Sequence, residues 1–109
     1  MDSYDVILSE PAKIQLNSYI NYIQYTLFNN QAADAVLVDV LETIHALKST
    51  AGSLRFCDDP DLKSRGYRKI SLSSHDYVML YKLEGRTACI DGIYHQMQDY
   101  ENLFRNSIQ

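Results

Sequence analysis

Three strand-like runs, Tyr67 to Leu72 (YRKISL), Tyr77 to Leu83 (YVMLYKL) and Thr87 to Tyr94 (TACIDGIY), are separated only by SSHD and EGR. Connections this short leave no room for a crossover, so the runs must form a meander of antiparallel hairpins. The middle run is almost entirely apolar, which predicts a central strand covered on at least one face. The helical segments upstream are the expected cover.

Upstream, Tyr4 to Leu8 (YDVIL) is β-prone and stops at Ser9-Glu10-Pro11, where a capping serine and a first-turn proline announce a helix. From Ala12 to about Phe28, Ala12, Leu16, Tyr19, Ile20, Ile23 and Leu27 share one helical face and form the expected core stripe. The opposite side carries Ile14, Tyr22, Tyr25 and Phe28, an apolar stripe that needs its own cover, either another element of the domain or another chain. Asn29-Asn30 ends this helix and caps a second one, Gln31 to Lys48, with Ala33, Val36, Leu37, Val40, Leu41, Ile44 and Leu47 on one side. The two should pair as an antiparallel hairpin. Residues 49–64 read as irregular. The expected fold class is α+β: β-α-α-β-β-β, a helical hairpin on a mainly antiparallel four-stranded sheet, with a short C-terminal helix, all in one domain spanning 1–109.

The bulk properties narrow the chemistry. Neither a signal-peptide pattern nor an apolar run long enough to span a membrane is present, so a soluble cytoplasmic protein with no membrane contact is expected. Cys57 and Cys89 lack partners at ligand spacing, and His45, His75 and His95 fall in three separate elements, so no metal and no cofactor are expected. The cysteines read as packed or idle thiols. Net charge is −4, which argues against a surface that grips phosphate throughout. Residues 1–60 hold eight acids and three bases, whereas residues 61–109 hold six and seven, with Lys63, Arg65, Arg68 and Lys69 clustered in LKSRGYRK. That cluster is either a solvated strand entrance or an anion contact.

Five segments, YDVILSEPAK, NNQAADAVLVDVLETIHAL, DLKSRGYRKI, DYVMLYKL and IYHQMQDYENLF, occur in an order and spacing that resemble the RelE/ParE superfamily of toxins from bacterial type II toxin-antitoxin modules. The long alanine-rich second helix, GYRK and the DYENL ending look most like its ParE, or plasmid-stabilisation, side. The resemblance implies growth inhibition, a cognate antitoxin and a hetero-oligomer with it. It also implies one of two targets. ParE-type toxins poison DNA gyrase by contact, whereas RelE-type toxins cut messenger RNA on the ribosome.

Metal-free RNA cleavage needs a proton-transfer group and cations around the phosphate. His95 is the one candidate for the first role, and Arg68 and Lys69 for the second. In YoeB-like members the last strand ends in arginine, tyrosine, histidine and tyrosine, where this chain has Ile93, Tyr94, His95 and Gln96. ParE-like members close it with a histidine, a glycine and two basic residues before an aspartate, of which His95 and Asp99 remain. The resemblance therefore favours a binding poison, with Arg65, Arg68, Lys69, Tyr94, His95, Asp99, Tyr100 and Phe104 as the target surface. The apolar stripe of the first helix, Ile14, Tyr22, Tyr25 and Phe28, is the expected seat of that antitoxin. The alternatives are a ribosome-dependent endoribonuclease and an inactive member kept as a binding module.

Overall fold

The computed structural model describes residues 3–108. Strand β1 (Asp5–Leu8) leads into α1 (Glu10–Asn21), a π-helical turn (Tyr22–Thr26) and α2 (Asn30–Thr50). A short α3 (Pro60–Ser64) precedes β2 (Tyr67–Ser71), β3 (Tyr77–Glu84) and β4 (Thr87–His95), and α4 (Tyr100–Ser107) closes the chain. The sheet order is β1-β4-β3-β2. The meander is antiparallel throughout, and β1 joins it in parallel beside β4, with Asp5 opposite Thr87 and Leu8 opposite Ile90. This is the expected α+β architecture.

Helix starts obey the capping chemistry. The Ser9 hydroxyl accepts from Ala12 N at 3.3 Å, and the Asn29 side chain accepts from Ala32 N at 3.0 Å, each satisfying an amide that the first turn leaves free. The first helical arm departs from expectation at its end. Instead of continuing as an α-helix to Phe28 it widens after Asn21, and Leu27 N donates to Tyr22 O five residues back at 3.1 Å. The wider turn rotates the residues beyond it about the helix axis, so Leu27, assigned to the core stripe, is 55% exposed. Phe28 then takes a left-handed backbone, φ 51°, at the position that ends the arm. Glycine or asparagine is usual there, and a phenylalanine costs about 1–2 kcal/mol in backbone strain.

Each face of the sheet is packed. On one, Met79, Tyr81, Ala88, Ile90 and Ile93 meet Ala12 of α1 and Val36, Val40 and Leu47 of α2. On the other, Val78, Leu80 and Tyr94 meet Leu62 of α3 and Phe104 of α4. Alternation from Val78 to Tyr81 sends successive residues to opposite cores, which explains why that stretch of β3 is apolar without interruption. Gly92 makes the second core possible. A methyl group there would lie 2.9 Å from the Tyr94 ring and 3.0 Å from the Phe104 ring, so only a bare backbone lets Phe104 settle on the sheet.

Two further expectations need correction. On α2, Leu37 and Leu41 are exposed, while Asp39 and Thr43 are buried beside Val36 and Val40. The inward arc is rotated because Asp39 receives the β2–β3 loop from above it, and Thr43 donates to Asp39 O at 2.8 Å within the helix. Within 49–64, read as irregular, α3 forms from an Asp59 side chain that accepts from Asp61 N and Leu62 N, with Pro60 next in the chain.

Candidate functional site

The basic stretch is not a bare cationic surface. Arg68, on β2, lays its guanidinium 4.1 Å over the Phe56 ring and donates to Leu54 O. Residues 55–57 run alongside β2, with Phe56 bridged to Arg68 and Cys57 N donating to Tyr67 O at 3.0 Å, so this edge of the sheet is covered. Arg65 pairs with Asp61 at 3.2 Å on the surface.

Lys69 is the most committed of the cations. Its side chain is only 8% exposed and its ammonium bonds Glu101 at 2.8 Å, the Tyr100 hydroxyl at 3.1 Å and Asp58 at 3.2 Å. Burial opposes the charge, but the bonds to Glu101, Tyr100 and Asp58 outweigh it and hold the lysine pKa above its ordinary value. Glu101 works twice, because its other oxygen accepts from Asp59 N at 2.7 Å. Arg105, one turn along α4, reaches Asp59 in turn. The result is a polar seam tying β2, α3 and α4 together. A cleft of about 330 Å³ opens over it, lined by Asp58, Asp59, Lys69, Asp99, Tyr100 and Glu101 among others. Four of its eight lining residues are carboxylates, a poor host for a phosphate.

His95 belongs to a different groove. That groove, about 380 Å³, lies between the tip of the helical hairpin and the β2–β3 loop and is lined by Ile23, Leu27, Val36, His75, Tyr77 and His95 among others. The His95 ring stands edge-on to Tyr77 at 5.4 Å, and its Nδ1 accepts from Met97 N at 3.1 Å. The histidine thus organises the turn after β4 through backbone, and Asp99 bonds Asn102 instead. The structure therefore brings Lys69 and Tyr100 together on the α3–α4 side, with Arg65 at the end of α3, turns Arg68 to the opposite face of β2 beside Leu54 and Phe56, and puts His95 in the other groove. Tyr94 and Phe104 are interior residues, with rings 6.4 Å apart in the second core.

Several residues with large local roles were not singled out in the sequence. Asp39, buried, accepts from Ser73 N and Ser74 N and binds His75 Nδ1 at 2.8 Å. Burial raises its pKa, but the bonds from His75, Ser74 and Ser73 more than reverse this and leave it below the ordinary carboxylate value. Its one sequence signal is an acid inside an apolar helical arc. Glu101 and Asp59 are likewise missed, although Asp59-Pro60 repeats the cap-then-proline signal of Ser9 to Pro11. Both thiols are free, and burial pushes the Cys57 pKa up to about 12, which keeps it protonated and inert. Among the described residues no cluster of three metal-ligating side chains occurs, and no helix is long and apolar enough to cross a membrane.

No family model matches the sequence, and no curated protein matches it. Solved structures do. A chain of the chromosomal ParDE TA system from P. aeruginosa superposes with a TM-score of 0.71, covering 87% of this chain and 98% of its own at 16% identity. The isolated E. coli RelE toxin aligns over 98% of this chain and 100% of its own at 18% identity, with a TM-score of 0.42. Only the first superposes well enough to define a fold. This chain shares the fold of that ParDE-system chain.

Proposed function

We propose that the chain, as one domain over residues 1–109, is the toxin of a type II toxin-antitoxin module and acts as a ParE-like binding poison of DNA gyrase rather than as a nuclease. The fold shared with a chain of a ParDE TA system supports the toxin class. The choice of mechanism rests on one observation. His95, the proton-transfer candidate named from the sequence, and the buried lysine lie in separate grooves, and the lysine is already neutralised by Glu101 and Asp58. General acid–base chemistry on a phosphate requires both groups within reach of one reacting centre. A contact poison has no such requirement. Its surface would comprise the exposed turn from His95 to Tyr100 together with Arg65, set on the rigid seam beneath.

The test pairs a target assay with one substitution. Induced expression should provoke the DNA-damage response, and the purified chain should inhibit supercoiling by gyrase. His95→Ala should retain most of the growth arrest, because binding energy is spread over several contacts and a backbone-bonded imidazole at the rim is seldom dominant. A general acid or base would instead lose roughly 10²- to 10⁴-fold in rate on substitution. Transcript cleavage in a purified translation system that disappears in His95→Ala would establish the nuclease and overturn the proposal.

The partner implied by this reading is an antitoxin that folds onto the helical hairpin. Ile14, Tyr22, Tyr25 and Phe28 remain exposed, as a docking stripe must be. Replacing Tyr22 and Tyr25 by serine should weaken co-purification with the protein of the neighbouring gene while moving stability by no more than about 0.5 kcal/mol per site. A large fall in thermal midpoint with binding intact would assign the tyrosines to the fold instead.

A further inference from the structure

Two histidines line the groove between the hairpin tip and the β2–β3 loop, and each has one ring nitrogen already committed. His75 Nδ1 lies 2.8 Å from the buried carboxylate of Asp39, a group that only accepts, so the neutral ring carries its proton on Nδ1 and leaves Nε2 a bare acceptor. His95 is the reverse. Its Nδ1 accepts from Met97 N at 3.1 Å, so the neutral ring carries its proton on Nε2, a donor. Among the described residues neither Nε2 has a hydrogen-bond partner.

The sheet brings the two together. Tyr77 stands opposite His95 in the ladder, and its backbone N donates to His75 O at 2.9 Å. His75 Nε2 points away from Asp39, which lines the neighbouring recess and not this groove. The groove therefore offers one acceptor and one donor, and each ring is oriented before anything binds. The amides of Ser73 and Ser74 already tie the loop to Asp39, so the bond from His75 serves to fix its ring.

Charge and size narrow the occupant. The ten lining residues include no lysine and no arginine, and Asp76 stands among them, so an anion finds no partner. A cation would face the N–H of His95. Ile23, Leu27, Val36 and the Tyr77 ring supply apolar walls, and about 380 Å³ is near the lower end of small-molecule sites, enough for one ring or a fused pair. We propose that this groove binds a small uncharged ring carrying both an N–H donor and a carbonyl acceptor, a cyclic amide. Its N–H donates to His75 Nε2, and its carbonyl accepts from His95 Nε2. Orientation fixed in advance spares the ordering cost of binding. The site goes beyond the toxin reading and does not depend on it.

The test is an NMR titration of the purified chain with 2-pyridone, at about pH 8, above the ordinary histidine pKa. Saturable shifts at the ring nitrogens of His75 and His95, with His45 unmoved, and a dissociation constant of about 1 mM or tighter are expected. N-methyl-2-pyridone has the same ring without the donor and should bind about tenfold more weakly. That comparison probes His75 without altering the protein, so folding cannot confuse it. His95→Phe keeps a ring against Tyr77 and removes the donor, and should weaken 2-pyridone by a similar factor at an unchanged thermal midpoint. Benzoate and benzylammonium, flat rings bearing a charge, should not compete. No saturable shift, equal binding of the methylated ring, full affinity in a folded His95→Phe, or tighter binding of either ion would each overturn the proposal.

Discussion

Glu101→Ala is expected to lower the stability of the protein by about 3–5 kcal/mol, read as the midpoint of urea unfolding. The carboxylate is 14% exposed and faces a lysine that is 8% exposed, so its removal leaves an ammonium inside the protein with a weaker share of partners. It also strips Asp59 N of its acceptor at the start of α3. Asp58→Ala should shift the midpoint far less, since that carboxylate stands mostly in water. Replacing the pair together, Lys69→Met with Glu101→Leu, should recover much of the loss, because a buried ion pair exchanged for apolar groups is no longer a broken one. A wild-type midpoint in Glu101→Ala would mean that the seam does not hold α4 in place. The result also bears on how the basic stretch is tested. A change of activity in a Lys69 variant has first to be separated from loss of folding.

Asp39→Asn should destabilise the protein at neutral pH by about 2 kcal/mol, since a carboxylate accepting from two amides and an imidazole is replaced by an amide with one acceptor and two ill-placed donors. The pH dependence has a definite sign. Asp39 titrates below its ordinary value of 3.8 in the folded state, so the unfolded chain takes up the proton first. The stabilisation is complete above that ordinary value and is lost as pH falls through the lower, folded pKa. The variant should therefore show a flatter acid limb than wild type in a stability profile from neutral pH downward. Parallel profiles would remove Asp39 as the source of that limb.

Features that depend on near neighbours in the chain were legible in the sequence. Ser9 and Asn29 cap because a short side-chain oxygen reaches an amide three residues on, and the meander comes from separators too short for anything else. Hydropathy alone does not say that β1 lies parallel beside β4, since a short apolar strand can pair in either direction. The other features missed depend on distant partners. Lys69 reads as a free cation until α4 folds back and brings Glu101 to it from 32 residues away. Asp39 reads as a solvated acid, and Leu37 and Leu41 as core, until the β2–β3 loop caps α2 and fixes its rotation. Leu27 reads as core because the pattern assumes 3.6 residues per turn, and one widened turn breaks that assumption. The five residues of α3 are too few to show periodicity. His95, by contrast, sits at a strand end as expected and is bonded through backbone.

The position of β4 carries a consequence for how the protein comes into being. It is the last strand made, yet it lies between β1 and β3 and sends Ile90 and Ile93 into one core and Tyr94 into the other. The N-terminal strand consequently waits for a partner some eighty positions behind it, a long loop to close before any contact repays the closure. Until β4 has been made, β1 has no strand to pair with. A product truncated before residue 87 lacks the strand that both cores share, so it has no reduced version of this structure to fall back on. Neither core can be completed until β4 has been made.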